Sequence, residues 1–199
     1  MPYQSCRRSL ACLAGHDTLY IANNVYLEEA MSFSVVPNGS GGTVSQPALH
    51  IGAGEGITTW FNGDILTTKL TAQQSGGALG LIEATVPPGG GPAPHIHPNT
   101  DETFYMISGE LEFLQGERVI NANAGDLVFC PRGITHRFTN TGIQPARMIF
   151  VYTPGGAEGL FIEGGDVPQP GVQVQPWGPE RIDEHLLSLL TKYDNALPE

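Results

Sequence analysis

The chain has few basic residues and no long apolar run. Its 199 residues include 9 Lys and Arg against 20 Asp and Glu, which gives a formal net charge of -11. Nucleic acids and anionic membrane surfaces repel so acidic a chain, so we expect neither as a partner and favour a small molecule instead. No stretch approaches the roughly 18 to 20 apolar residues of a membrane span. We therefore expect a protein that does not associate with membranes.

Cysteine is scarce as well. Cys6, Cys12 and Cys130 cannot all pair within the chain, and their spacing matches no zinc-binding pattern. We therefore expect reduced thiols, with Cys130 packed as a small apolar group. The segment RRSLACLAG near the N-terminus has too short an apolar stretch to predict a secretory signal. The expected location is the cytoplasm.

Glycine and proline are abundant, at 26 and 16 residues, which favours many short strands joined by tight turns. Nine runs rich in β-branched and aromatic residues follow Thr58, with turn residues between them. The pattern predicts an all-β fold, a closed or sandwiched antiparallel barrel of jelly-roll type. The nine predicted strands are TTWF, DILTTKLTA, LGLIEATV, ETFYMIS, ELEFLQ, ERVINA, DLVFC, HRFTN and ARMIFVYT.

The chain divides into three regions around this strand-rich block. Residues 1–54 are expected to form an N-terminal extension and connector. Two alternatives stay open for residues 1–30: a segment ahead of a true translation start at Met31, or one that contains an edge strand or an arm exchanged between subunits. Residues 55–155 are the predicted barrel, and no internal repeat suggests a second one. Residues 156–199 are expected to be irregular as far as PWGPE. One C-terminal α-helix then follows, within PERIDEHLLSLLTKYDNA, and packs outside the barrel.

The segment HIHPNTDE contains two histidines with the spacing of a chelating pair. His95 and His97 lie two residues apart, so in an extended strand both imidazoles project from one face. After the turn at Pro98, Glu102 begins the next strand and can return an oxygen ligand to the same point. A third imidazole is available from His136, at the start of another strand. A His-x-His pair alone is often only a solvated turn, but this set suits Fe, Mn, Ni, Co or Cu, with Zn less diagnostic.

These residues belong to a larger pattern that resembles the two motifs of the cupin superfamily. The resemblance covers about residues 55–155 and implies a double-stranded β-helix, the cupin barrel, with one divalent transition metal inside it. The implied ligands are His95, His97, Glu102 and His136. The matching positions are Gly89, His95, His97, Glu102 and Gly109 in the first motif, and Gly125, Pro131, Gly133, His136 and Asn140 in the second.

Within this superfamily the sequence in and around the two motifs is similar to that of single-domain cupins of the quercetin 2,3-dioxygenase type. That similarity implies a metal-dependent dioxygenase that cleaves a flavonol or similar enolisable substrate with O2, with Glu102 as the catalytic proton acceptor. One alternative is a non-oxidative metal cupin in small-molecule metabolism, an isomerase, cyclase or decarboxylase. Another is a non-catalytic cupin that binds small molecules. Neither the metal nor the substrate follows from the sequence.

Period-two alternation predicts which side chains surround the metal. Phe104 and Met106 share a face with Glu102, and Phe138 shares one with His136, so these three are predicted to line the substrate pocket. Ordinary filling of the barrel would explain them equally well. Tyr105 and Ile107 then face outward, and we expect a homodimer.

Overall fold

A computed structural model describes residues 48–198 of the chain. The predicted N-terminal extension therefore lies almost entirely outside the described residues. Within them all nine predicted strands are confirmed, and they form two sheets. The strands are β1 (Ile57–Phe61), β2 (Asp64–Leu70), β3 (Gly80–Val86), β4 (Asp101–Ser108), β5 (Glu110–Gln115), β6 (Arg118–Asn123), β7 (Leu127–Cys130), β8 (His136–Thr139) and β9 (Ala146–Thr153).

The two sheets form the predicted jelly roll. The larger sheet has the order β1-β2-β3-β9-β4-β7 and the smaller has the order β6-β5-β8, with every pairing antiparallel. Strand β9 lies between β3 and β4, so the last strand of the block closes the sheet between two earlier ones. The all-β prediction is confirmed.

Alternating burial along the strands places the core between the sheets. In β4 the buried positions are Glu102, Phe104 and Met106, whereas Tyr105 and Ile107 are exposed. Successive side chains in a strand point to opposite faces, so one face of β4 lines the interior and carries a carboxylate there. The exposed residues Tyr105 and Ile107 agree with the predicted outward orientation, and the homodimer stays a prediction.

Three α-helices accompany the barrel in residues 48–198: α1 (Ala72–Ser75), α2 (Gly159–Gly164) and α3 (Glu184–Lys192). None of them is long and apolar enough to cross a membrane. Helix α3 confirms the predicted C-terminal helix and begins at Asp183, whose side chain accepts a hydrogen bond from the backbone N–H of Leu186. Helix α2 was not predicted, because a six-residue segment that begins and ends with glycine shows no helical periodicity.

Candidate metal centre and cavity

The four predicted metal ligands come from three neighbouring segments of the barrel. His95 and His97 lie in the extended segment before β4, Glu102 is the second residue of β4, and His136 is the first residue of β8. His95 and His136 exchange backbone hydrogen bonds of 3.0 and 2.9 Å, which brings the first segment beside β8. The turn before β8 contains Gly133, whose φ of 79° favours glycine, and its N–H donates to the carbonyl of His97.

The structure brings all four side chains together. One ligand atom from each of His95, His97, Glu102 and His136 lies within 4.8 Å of the others. Glu102 Oε2 is 2.9 Å from His136 Nε2 and 3.3 Å from His97 Nε2. His97, Glu102 and His136 are almost completely buried. This buried cluster of four side chains is consistent with a metal site.

Backbone carbonyls orient all three imidazoles. The Nδ1 atoms of His95, His97 and His136 lie 3.0, 2.9 and 2.9 Å from the carbonyl oxygens of Ala93, Asp194 and Ile134. Because a carbonyl can only accept, each Nδ1 must carry the proton and donate it. The neutral imidazoles therefore direct their Nε2 lone pairs inward, as metal-ligating histidines do.

The centre of the cluster requires positive charge. Neutral imidazoles protonated at Nδ1 place Nε2 acceptors against the Glu102 carboxylate, which is an acceptor too. His97 Nε2 is buried and makes no hydrogen bond of acceptable geometry. Either a proton on an imidazole or a cation must relieve this repulsion, and one divalent ion serves all four groups at once. The residues therefore fit a metal ion.

The pKa shifts show how strongly the four groups interact. Burial raises the pKa of Glu102, but the interactions with the neighbouring His136 and His97 imidazoles outweigh burial and lower it to about 2. Burial and the neighbouring His136 lower the pKa of His95 to about 4. For His97 burial lowers the pKa, yet the Glu102 carboxylate outweighs burial and the net shift is upward. At neutral pH Glu102 is ionised and His95 is neutral, the forms that bind metal.

A distant segment of the chain holds His97 in place. The carbonyl of Asp194, which accepts from His97 Nδ1, follows helix α3. The Asp194 carboxylate accepts two hydrogen bonds from Asn99, one from the backbone N–H at 2.9 Å and one from Nδ2 at 2.8 Å. Ile96 and Ala196 exchange backbone hydrogen bonds of 2.9 and 2.8 Å. The segment after α3 is thereby joined to the segment that carries two of the predicted ligands.

A cavity of about 350 Å³ adjoins the cluster, with His95 and Glu102 in its wall. Most of its remaining wall is apolar and aromatic, contributed by the inner faces of the strands and by helices α2 and α3. Apolar walls with a few polar groups are typical of sites for small organic ligands. The main apolar lining residues are Phe61, Leu66, Phe138, Phe150, Leu160, Phe161, Trp177, Leu186, Leu187 and Leu190.

The three predicted pocket residues differ in position. Phe138 lies in the cavity wall. Phe104 and Met106 are each only 1% exposed and lie in the hydrophobic core, outside the cavity lining. The Phe104 ring contacts Phe113, at a centroid distance of 4.9 Å, and lies 6.4 Å from the ring of His136. Both face inward as the alternation predicts, but at that depth the barrel is filled with side chains.

Helix α3, which was predicted to pack outside the barrel, also lines the cavity from there. Leu186, Leu187 and Leu190 line the cavity, and Leu189 is 2% exposed. The sequence shows the apolar side of this helix, but not the surface that it covers. The physical reason is that the open end of the barrel exposes an apolar cavity, and this helix covers it.

Two polar residues of the cavity were missed in the sequence. Tyr152 lies opposite Glu102 in the pairing of β9 with β4. Burial, followed by the Glu102 charge and a hydrogen bond to Glu102, raises the pKa of the Tyr152 phenol, which therefore stays protonated. Asp64 lies at the start of β2 and is 6% exposed. Alternation along β9 could have identified Tyr152, whereas an acid directly after the Asn62–Gly63 turn gives the impression of a solvated residue.

Cys130 lies beside Glu102 but outside the cluster. The two residues are opposite each other in the pairing of β4 with β7, and Cys130 is 1% exposed. Burial and the nearby Glu102 charge raise the pKa of its thiol to about 12. The thiol therefore stays protonated and packs as the predicted small apolar group.

Comparisons with solved structures agree with this architecture. A predicted oxalate decarboxylase from Thermotoga maritima superimposes with a TM-score of 0.50 at 20% identity, over 53% of this chain and 99% of that one. At this identity the likeness shows the fold alone.

Sequence comparison gives the family. Residues 82–152 match the cupin domain family. The tetracenomycin polyketide synthase protein TcmJ of Streptomyces glaucescens is 33% identical over 45% of this chain and 58% of its own length. Protein SchB of Streptomyces halstedii is 33% identical over 46% of this chain and 67% of its own length. The chain thus spans less than two thirds of TcmJ. With its two-sheet jelly roll and its three-histidine, one-glutamate cluster, the chain belongs to the cupin superfamily.

Proposed function

We propose that the chain is a metal-dependent cyclase that acts on an enolisable polyketide without using O2. The observation that carries this proposal is the position of the cluster in the wall of an apolar cavity, where a folded organic ligand would meet it. The likeness to a protein named for a polyketide synthase supports the substrate class. The quercetinase-like hypothesis would use the same cavity and the same cluster.

A metal ion bound by His95, His97, Glu102 and His136 would act as a Lewis acid toward a carbonyl or enolate oxygen of the ligand. The other contributions to the reaction come from the side chains that line the cavity. Its aromatic walls exclude water and hold a flexible polyketone in one folded shape, which brings the reacting carbons together. Ring formation between two carbonyl-bearing segments of one chain needs no oxidant.

Glu102 is the proposed proton acceptor. It is ionised at neutral pH and lies in the cavity wall, so it can take a proton from the acidic carbon between two carbonyl groups. From that position Glu102 can pass the proton on to an oxygen of the same ligand. Such a group suits transfer of a proton from a ligand carbon to a ligand oxygen. Tyr152, protonated and opposite Glu102, donates its hydroxyl proton to a hydrogen bond with that carboxylate and orients it.

The experiment compares reactions with and without oxygen. The purified protein is loaded with each of Fe, Mn, Ni, Co, Cu and Zn, its metal content is measured, and it is incubated with a synthetic aryl poly-β-ketone under argon and under air. We expect the same cyclised product under both gases, with the mass of the substrate or that mass less water. The variant His97→Ala serves as the metal-free control.

The competing dioxygenase hypothesis is tested with quercetin and simpler enols as substrates. Oxygen uptake with release of carbon monoxide, together with no reaction of the polyketone under argon, would establish the dioxygenase instead. Metal binding without turnover of either substrate class would identify a binding protein and refute both the cyclase and the dioxygenase hypotheses.

A further inference from the structure

Three carboxylate side chains are almost completely buried in residues 48–198, and one of them lacks partners. Glu102 lies among the imidazoles, and Glu158 accepts hydrogen bonds from the backbone N–H groups of Ala72 and Gly156. Asp64 is 6% exposed, and its Oδ1 is buried with no hydrogen-bond donor. A buried acceptor without a donor is unfavourable, so such groups in native proteins call for an explanation.

The local fold places the Asp64 side chain inside the barrel. The Asn62–Gly63 turn, with φ values of 49° and 94°, reverses the chain between β1 and β2. Asp64 is then the first inward position of β2, on the same side as Leu66 and Thr68. Its Oδ1 packs against Gly90, where an added Cβ would lie 2.7 Å away. Glycine at position 90 leaves the space that the carboxyl occupies.

Asp64 and the metal cluster lie at opposite ends of the same cavity. Gly90 accepts a hydrogen bond from the backbone N–H of Asn140, whereas His95 pairs with His136. The four residues from His136 to Asn140 span roughly 13 Å of extended chain. Phe138, midway along this stretch, lines the cavity. The cavity therefore has polar groups at two ends and aromatic side chains between them.

We propose that the Asp64 carboxyl is the second polar contact for the ligand and binds an enolic or phenolic hydroxyl at the end remote from the metal cluster. This inference rests on the proposed function and narrows its substrate class. The ligand is an elongated aromatic or poly-β-ketone with one oxygen at the cluster, an apolar middle and another oxygen at Asp64. The Asp64 carboxyl lines the cavity, so a ligand hydroxyl can approach it there.

The electrostatics of Asp64 are compatible with both tautomers of such a ligand. Burial raises the pKa of Asp64 to about 7. An ionised carboxylate accepts a hydrogen bond from an enol or phenol, and a protonated carboxyl donates one to a keto oxygen. Asp64 can thus stay bonded to a β-dicarbonyl group as it interconverts between these forms.

The test measures binding of two probes to the zinc-loaded protein by titration calorimetry. The first probe is an anthraquinone with a single hydroxyl beside its carbonyl, and the second carries an additional hydroxyl on the far ring. We expect the wild-type protein to bind the second probe about tenfold more tightly, as a hydrogen bond to a charged group provides. In Asp64→Leu this preference should disappear, while the first probe binds as before.

The control is Thr68→Val, which also replaces a polar side chain with an apolar one. Thr68 lies four residues after Asp64 on the same inward face of β2, but outside the cavity lining. This variant should retain the preference. Should Asp64→Leu not fold, Asp64→Ala removes the carboxyl without introducing a larger side chain, and should abolish the preference while leaving zinc content unchanged. Equal binding of both probes to the wild type, or an equal loss for both probes in the variant, would overturn the inference. Neither measurement requires turnover, so failure of the cyclase proposal is detected separately, in the argon experiment.

Discussion

The two ends of the cavity contain carboxyl groups that are equally buried and oppositely perturbed. Glu102 is 3% exposed and Asp64 is 6% exposed. The pKa of Glu102 is lowered to about 2, because its interactions with two imidazoles outweigh its burial. The pKa of Asp64 is raised to about 7, because burial acts on it alone. Partners, rather than depth, decide the charge of a buried acid.

Removing an imidazole should leave the buried Glu102 carboxylate with fewer partners, and so bring its environment closer to that of Asp64. In His97→Ala the cluster loses one of its three nitrogen ligands and Glu102 loses one of its two close imidazole partners. We expect complete loss of stoichiometric metal and of cyclase activity, measured by elemental analysis and product formation. The metal-free variant should also lose about 3–5 kcal/mol of stability, since a buried charge loses a partner. The exposed His50 provides the control: His50→Ala should retain metal, and equal metal loss there would contradict the assignment of ligands.

Neutralising Glu102 should separate its two proposed roles. Glu102→Gln keeps the shape and an oxygen ligand but removes the negative charge and the proton acceptor. We expect part of the metal to remain bound and kcat to fall by about 10²- to 10⁴-fold, as for loss of a general base. The comparison requires kcat per bound metal ion, from activity and metal content of one sample. Unchanged kcat per metal would show that Glu102 takes no proton.

At the opposite end, Asp64→Asn should stabilise the protein in a pH-dependent way. The folded pKa near 7 lies above the ordinary value of 3.8. The wild-type protein therefore keeps the full contribution of Asp64 below pH 3.8 and loses it as the pH rises through 7. Relative to wild type, Asp64→Asn should gain stability across this range, up to about 4 kcal/mol at alkaline pH. Urea unfolding at pH 5 and pH 8 measures the gain, and an equal difference at both values would contradict the raised pKa.

The smallest effect is expected from a variant that weakens the hydrogen bonds holding His97 in place. Asn99→Ala removes the Nδ2 hydrogen bond to Asp194 but leaves the backbone one. We expect metal affinity to weaken by about tenfold, the lower end for loss of a group that orients a ligand. Competition with a chelator measures the affinity, with the exposed Asn121→Ala as the control. A change equal to that of the control would mean that the backbone contacts alone fix His97.

The strand pattern followed from short-range features of the sequence, whereas the complete set of four ligands was implied by the resemblance to the two cupin motifs. Period-two alternation placed Glu102 and His136 on inward faces, and the spacing of His95 and His97 gave a common direction for their imidazoles. Such features depend on residues a few positions apart, so a single sequence contains them.

The far end of the cavity depends on long-range contacts, which the sequence does not reveal. Asp64 follows a tight turn and would be solvated if Gly90 did not approach it from another segment. The carbonyl of Asp194 meets His97 across 97 residues of chain. The sequence also did not predict how far the open cavity extends into the barrel. Phe104 and Phe138 both face inward, but of these two only Phe138 lines the cavity. Facing follows from alternation, whereas depth depends on how the barrel is filled.

The pairing of Ile96 with Ala196 has a consequence for the order of events in folding. The segment that orients His97 is added about a hundred residues after the histidine itself, and closing so long a loop is entropically unfavourable until the barrel exists. We expect the barrel to form first and the coordination sphere to be completed last. Metal uptake would then report on completion of the native state, and partially folded chains would release the ion rather than trap it.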